Sequence, residues 1–189
     1  MPKSDHNAAH YFIETHLEAG RGEAIAFIEA ASGKRISYGT LSANSSKVAG
    51  ALTKAGIKRE ERAAILMLDS IDYVEVFWGC LKAGVIAVPI NTLLAGAVYD
   101  TILSDSRASC LFVSAALLQV VKPVLAKNDH IRKVIVVGDH PLEDGFESYQ
   151  TFTKGAPELV AVAVSPDETA FWLYSSGSTG QPKGVRHVH

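Results

Sequence analysis

A run of small hydroxylated residues, glycines and a single lysine close to the C-terminal end carries most of the chemistry in this sequence. Residues 174–184 read Tyr-Ser-Ser-Gly-Ser-Thr-Gly-Gln-Pro-Lys-Gly. Gly177, Gly180 and Gly184 permit positive φ, so successive backbone N–H groups can point into one concavity. Ser175, Ser176, Ser178 and Thr179 add hydroxyl donors. Lys183 adds a compact positive charge suited to a phosphate. Each part favours a polyphosphate anion. The pattern is not a Walker A loop, which needs Gly before the lysine and Ser or Thr after it. Here Pro182 precedes Lys183 and Gly184 follows. A solvated Ser/Gly linker has similar composition. Linkers seldom follow an apolar run such as Ala170-Phe171-Trp172-Leu173, however, or carry one ordered lysine.

The elements that must position this loop alternate between strand and helix. A helix is expected over 7–18, with Ala8, Tyr11, Phe12 and Leu17 on one apolar face. Residues 24–29 and 35–37 read as a hairpin around Ser32-Gly33-Lys34. Tyr38 opens a helix with a buried stripe of Leu41, Ser45, Val48, Leu52 and Ala55, ended by Gly56. Residues 62–68 read as a strand buried on both faces. Asp69 and Ser70 cap a helix over 71–83 that ends at Gly84, and 85–90 is the next strand. Further helices are expected over 95–104 and 115–126, the latter disturbed by Pro123. Strands are expected over 109–113 and 133–137, and a short helix within 146–154. The alternation implies an α/β fold: a mostly parallel sheet flanked by helices, joined by right-handed crossovers. A last strand starts at Val185.

Length and composition narrow the function classes. The chain has 189 residues, 48% of them hydrophobic and 20% charged, enough for one domain with a substantial core. A net charge of −2 gives no basic footprint for nucleic acid. No apolar run reaches the roughly twenty residues that span a bilayer, and the polar N-terminus lacks a signal-peptide core. No membrane partner is expected, and the expected location is cytoplasmic. Cys80 and Cys110 lie in apolar runs and read as reduced core thiols. Possible metal sites, His6 with His10 and Asp139-His140 with Glu143-Asp144, lack a full ligand set; solvent-facing side chains account for both. His187 and His189 share a face of the last strand. Both read as histidines at a frayed end.

The stretch Ser-Ser-Gly-Ser-Thr-Gly-Gln-Pro-Lys-Gly resembles the phosphate-binding signature of the adenylate-forming superfamily: acyl-CoA synthetases, adenylation domains of peptide synthetases and luciferases. Residues 67–69 (Met-Leu-Asp), 91–94 (Asn-Thr-Leu-Leu) and 171–176 are most similar to the benzoate–CoA ligase branch. The likeness runs over residues 11–189. Residues 36–41 and 81–89 resemble two core motifs of the family, with Thr40 in place of a glutamate, and both read as packing. Arg186 and Val188 depart from the Val-His-Thr-His run of the benzoate branch.

The resemblance implies that residues 1–189 are a single incomplete domain, the N-terminal part of such an enzyme's large domain. The C-terminal remainder and a small domain would lie beyond it. It implies a two-step reaction. An aromatic carboxylate attacks MgATP to give an acyl-adenylate and pyrophosphate, and coenzyme A then displaces AMP. Ser175, Ser176, Gly177, Ser178, Thr179 and Gly180 would wrap phosphate, with Ser176 and Thr179 as direct hydroxyl contacts. Lys183 would neutralise the phosphate, or brace the loop through a carboxylate. The family's adenine, ribose, Mg2+ and catalytic-lysine positions all fall beyond His189. No catalytic residue and no metal ligand are therefore expected in this chain, which alone should be inactive and need no cofactor. It should also self-associate through uncovered apolar surface. The alternatives are a ligase for aminobenzoate, hydroxybenzoate or a fatty acid, and a non-catalytic nucleotide-binding module.

Overall fold

The computed structural model describes residues 6–141, 143–176 and 181–189. Chain order begins with a π-helical turn, His10–Glu14, running into the short helix α1, Thr15–Glu18. Strands β1, Ile25–Ile28, and β2, Arg35–Ser37, pair antiparallel as the expected hairpin. Then come α2, Tyr38–Lys54, β3, Arg62–Leu66, α3, Ile71–Ala83, and β4, Ile86–Pro89. Helix α4, Gly96–Ser106, leads to β5, Cys110–Ser114, and α5, Leu118–Leu125, to β6, Lys133–Val137. The remaining elements are β7, Phe146–Ser148, α6, Tyr149–Thr153, β8, Thr169–Ser176, and β9, Pro182–Val188.

Among the described residues, seven strands form one sheet in the order β7-β6-β5-β3-β4-β8-β9. Every neighbouring pair is parallel except β8–β9. Side chains alternate across the sheet, so each strand feeds two cores. Ala63, Ile65, Ala87, Cys110, Phe112 and Ile135 pack with helices α2, α3 and α6. Ala64, Leu66, Val88, Leu111, Val113 and Val136 pack on the other face with α4 and α5. Burial on both faces is why these strands read as unbroken apolar runs.

Local signals account for the helix boundaries. Ser37 and Ser70 accept hydrogen bonds from Thr40 N and Tyr73 N, capping α2 and α3. Gly84 takes the left-handed conformation, φ 69°, that closes α3. Helices α2 and α3 approach closely at Gly79, where a Cβ would stand 2.5 Å from the Val48 Cβ.

The structure corrects the sequence reading in several places. The π turn rephases the N-terminal helix, because a wider turn advances the side chains less per residue. Ala9 and Ile13 therefore face inward, while Tyr11 (64% exposed) and Phe12 (55%) point out. Glu14 is turned toward α3. There it meets Lys82, which is buried at 1% exposure and lies 2.6 Å from the carboxylate. Residues 146–148 pair with β6 as a strand before the short helix α6 begins. The last strand starts at Pro182, not Val185. The frayed-end reading of the C-terminal histidines also fails. His187 stacks on Phe171 with centroids 4.5 Å apart, and His189 Nδ1 accepts a hydrogen bond from Ala8 N at 3.1 Å.

Candidate functional site

Strands β8 and β9 form a hairpin at the edge of the sheet, and Ser175, Ser176 and Lys183 of the expected phosphate set lie on its strands. The ladder pairs Phe171 with His187, Leu173 with Val185, Tyr174 with Gly184, Ser175 with Lys183 and Ser176 with Pro182. Ser175 and Lys183 thus face each other across the ladder, both exposed, on the same side of the hairpin. Ser176 closes β8. Gly177, Ser178, Thr179 and Gly180 lie outside the described residues. Lys183 and Gly184, expected within a loop, belong instead to a strand. Gly184 has no positive φ. It is small because the Tyr174 ring lies against it: a Cβ would meet Tyr174 Cζ at 3.1 Å.

The two faces of this hairpin differ. Trp172 and Tyr174 pack into the core under α4 and α5. Leu173 (41% exposed) and Val185 (47%) lie on the open face with Ser175 and Lys183. On that open face only the hairpin's base is covered, where Phe171 meets Phe77 with centroids 5.5 Å apart. β8 registers with β4 at a single pair, Ala87 with Phe171.

The C-terminal end of α4 receives the anchored face. Arg62 of β3 donates from Nε to Ser106 O at 2.7 Å and from a terminal nitrogen to Arg107 O at 3.2 Å. These bonds satisfy carbonyls that a helix end leaves without partners. The same guanidinium lies 5.9 Å from the Trp172 ring centroid. Asp105 sits in the last turn, where the helix dipole disfavours a carboxylate. Tyr174 OH donates to its Oδ2 at 2.5 Å. Burial pushes the Tyr174 phenol up, and the Asp105 carboxylate pushes the same way, so the hydroxyl keeps its proton and is the donor.

Beside the hairpin lies a cleft of about 430 Å3. Met67, Asp69, Tyr73, Asn91, Leu93 and Tyr174 are among its walls. It opens at the C-terminal ends of β3 and β4, where α/β sheets commonly bind ligands. The segments 67–69 and 91–94, singled out in the sequence for their likeness to one enzyme branch, meet in this cleft. Sequence reasoning missed the role of Asp105, Arg62 and Tyr174 around the end of α4. The available signal was an acidic residue in the last turn of a helix, an unfavourable place without a donor nearby. Among the described residues, no three or more His, Cys, Asp or Glu side chains gather as a metal site.

Residues 14–189 match the family described as AMP-binding enzyme. The chain belongs to that family. It is 38% identical over 192 residues to a 4-hydroxybenzoate–CoA/benzoate–CoA ligase of Rhodopseudomonas palustris, covering all of this chain and 34% of the relative. It is 36% identical over 185 residues to a benzoate–CoA ligase of Thauera aromatica, covering 97% of this chain and 34% of that one. Among solved structures, the anthranilate CoA ligase AuaEII in complex with anthranoyl-AMP superposes with a TM-score of 0.90 at 31% identity. That match covers 97% of this chain and 35% of the other. The chain therefore spans about a third of the length of the curated relatives it matches. The mainly parallel sheet with helices on both faces is the α/β architecture expected from the sequence.

Proposed function

We propose that this AMP-binding family chain supplies the phosphate-binding hairpin of an AMP-forming acid–CoA ligase, with an aromatic carboxylate as the acid. The observation that carries the reading is the cross-strand pair of Ser175 and Lys183, exposed on one side of a hairpin whose strands flank, in sequence, the hydroxyl- and glycine-rich run. In the reaction a carboxylate oxygen attacks the α-phosphorus of MgATP. The bond to the β,γ-diphosphate breaks and an acyl-adenylate forms. The thiol of coenzyme A, losing its proton, then attacks the acyl carbon and AMP leaves. The charge that grows on the departing diphosphate is the one that Lys183 and the Ser175 hydroxyl are suited to stabilise. Holding the nucleotide against the cleft in one orientation adds the advantage of proximity. The residues fit a polyphosphate: an exposed ammonium, a hydroxyl and no carboxylate within the hairpin strands.

The benzoate and hydroxybenzoate specificities of the named relatives support an aromatic acid. Residues 1–189 match about a third of each relative's length, and the reading holds that they alone turn over neither step. The test is acid-dependent ATP–pyrophosphate exchange by the ligase at the length of its relatives. The panel comprises benzoate, hydroxybenzoates, aminobenzoates and a fatty acid. Exchange with an aromatic acid is expected, with Ser175→Ala and Lys183→Ala raising KM for MgATP by about ten- to a hundredfold. Unchanged KM in both variants refutes the phosphate assignment. Exchange with the fatty acid alone refutes the aromatic one. Thioester formation by residues 1–189 refutes their inactivity.

A further inference from the structure

β8 registers with β4 at Phe171, and the part of the hairpin distal to Phe171 carries Trp172 and Tyr174 on its inner face, packed beneath α4 and α5. Among the described residues, one side-chain hydrogen bond crosses from that distal part to the body: Tyr174 OH to Asp105 Oδ2. Trp172 contributes packing, but its indole N–H finds no partner among the described residues. The Tyr174 ring also lies on Gly184, its partner across the ladder, so one side chain grips both strands. The next residue along β8 is Ser175, which faces the opposite side beside Lys183. The Tyr174 bond therefore bears on where the hairpin sets Ser175 and Lys183 relative to α4.

We propose that the Tyr174–Asp105 contact is a latch that fixes the direction in which the hairpin presents Ser175 and Lys183 to a polyphosphate. Tyr174 is then a positioning residue that acts through its two neighbours on the ladder. Asp105 is the anchor point on α4, and Arg62 holds that helix end in place through Ser106 and Arg107. The inference rests on the phosphate reading of the hairpin and adds to it the element that sets its geometry. The latch suits a reaction that must close on MgATP and release a diphosphate. One exposed hydrogen bond is strong enough to bias the hairpin and weak enough to open on each cycle.

Tyr174→Phe keeps the ring on Gly184 and deletes the hydroxyl. Asp105 is exposed and rehydrates, so the fold should be kept. In residues 1–189 the variant should speed amide hydrogen exchange in the β8–β9 hairpin at least fivefold, as expected when one such bond is lost, and leave α2 and α3 unchanged. In the relative-length ligase it should raise KM for MgATP about tenfold while KM for the acid moves less than twofold. Asp105→Ala should do the same, and the double variant should be no worse than either single one. Exchange rates equal to those of the unaltered chain overturn the latch. So does a fall in kcat with KM unmoved, which marks a purely structural role, and so do additive effects in the double variant. Ser175→Ala and Lys183→Ala are run alongside. If they too leave KM unmoved, the phosphate reading has failed; if they raise it and Tyr174→Phe does not, only the latch has failed.

Discussion

Gly184 lies directly across the β8–β9 ladder from Tyr174, so close that a Cβ on the glycine would stand 3.1 Å from the tyrosine Cζ and 3.3 Å from its hydroxyl oxygen. This contact explains a glycine in a strand, where it otherwise weakens pairing. It also couples β9 to the end of α4, because the same hydroxyl is bonded to Asp105.

Gly184→Val is expected to push the Tyr174 ring aside and part it from Asp105, at a stability cost of about 1–3 kcal/mol for overpacking. The ring needs to give only a few tenths of an ångström for Gly184→Ala, which should be the milder change. Amide exchange of the hairpin and urea unfolding of both variants measure the two effects. Equal behaviour of the alanine and valine variants would show that the ring does not bear on residue 184.

Glu14→Gln should be costly. The Lys82 ammonium is buried between Glu14 Oε1 at 2.6 Å, Ser42 O at 2.9 Å and Ser46 Oγ at 2.9 Å. Burial pushes its pKa below the usual lysine range, and Glu14 opposes that. Without the carboxylate, a buried charge keeps only neutral acceptors. A loss of about 3 kcal/mol is expected, lowering Tm by roughly 10 °C for a chain of this size. Lys82→Met leaves only the more accessible Glu14 to hydrate and should cost less. Thermal unfolding that ranks the two in reverse order would contradict this account.

Glu75 gives a pH dependence of definite sign. The residue is 5% exposed and accepts from Asn44 Nδ2 at 2.7 Å and Tyr149 OH at 2.8 Å. Burial raises its pKa above the ordinary 4.5, Asp72 adds to the rise, and the two hydrogen bonds oppose it. The folded chain thus holds this proton more tightly than the unfolded one. The stability it contributes is complete below pH 4.5 and is lost as pH rises through the raised folded value. Against Glu75→Gln, the unaltered chain should lose relative stability as pH rises above 4.5. Urea titrations giving a constant difference across that range would rule this out.

Strand β9 ends the sheet with an unpaired edge among the described residues, and Leu173, Val185 and Val188 are exposed on or beside it. Residues 1–189 are accordingly expected to self-associate at high concentration. Lys183→Glu and Val185→Lys should shift the chain toward monomer in sedimentation velocity. A monomer at every concentration would defeat the expectation.

Much of this architecture was legible in the sequence because local signals and tertiary demand agree. Helix α3 runs from its serine cap to its left-handed glycine as read, and the buried strands announce themselves as apolar runs. The N-terminal helix was misread because a π turn has no sequence signature, and a single rephased turn moves Tyr11 and Phe12 to the surface. The segment Phe146–Ser148 was missed as a strand because its pairing comes from β6, not from its own pattern. At the site, the residue types proposed to meet phosphate were readable from composition and spacing. The latch was not, since it joins residues far apart in the chain through a fold that no local pattern specifies.

The two thiols of the core have a practical use. Cys80 and Cys110 are fully buried on the α2–α3 side of the sheet, and burial pushes the Cys80 thiol up to about 12 and that of Cys110 well above its usual value. Neither can meet an alkylating reagent until the sheet parts from its helices. The rate at which iodoacetamide labels them is therefore a stopwatch for global opening, needing no engineered probe and blind to anything that happens at the hairpin.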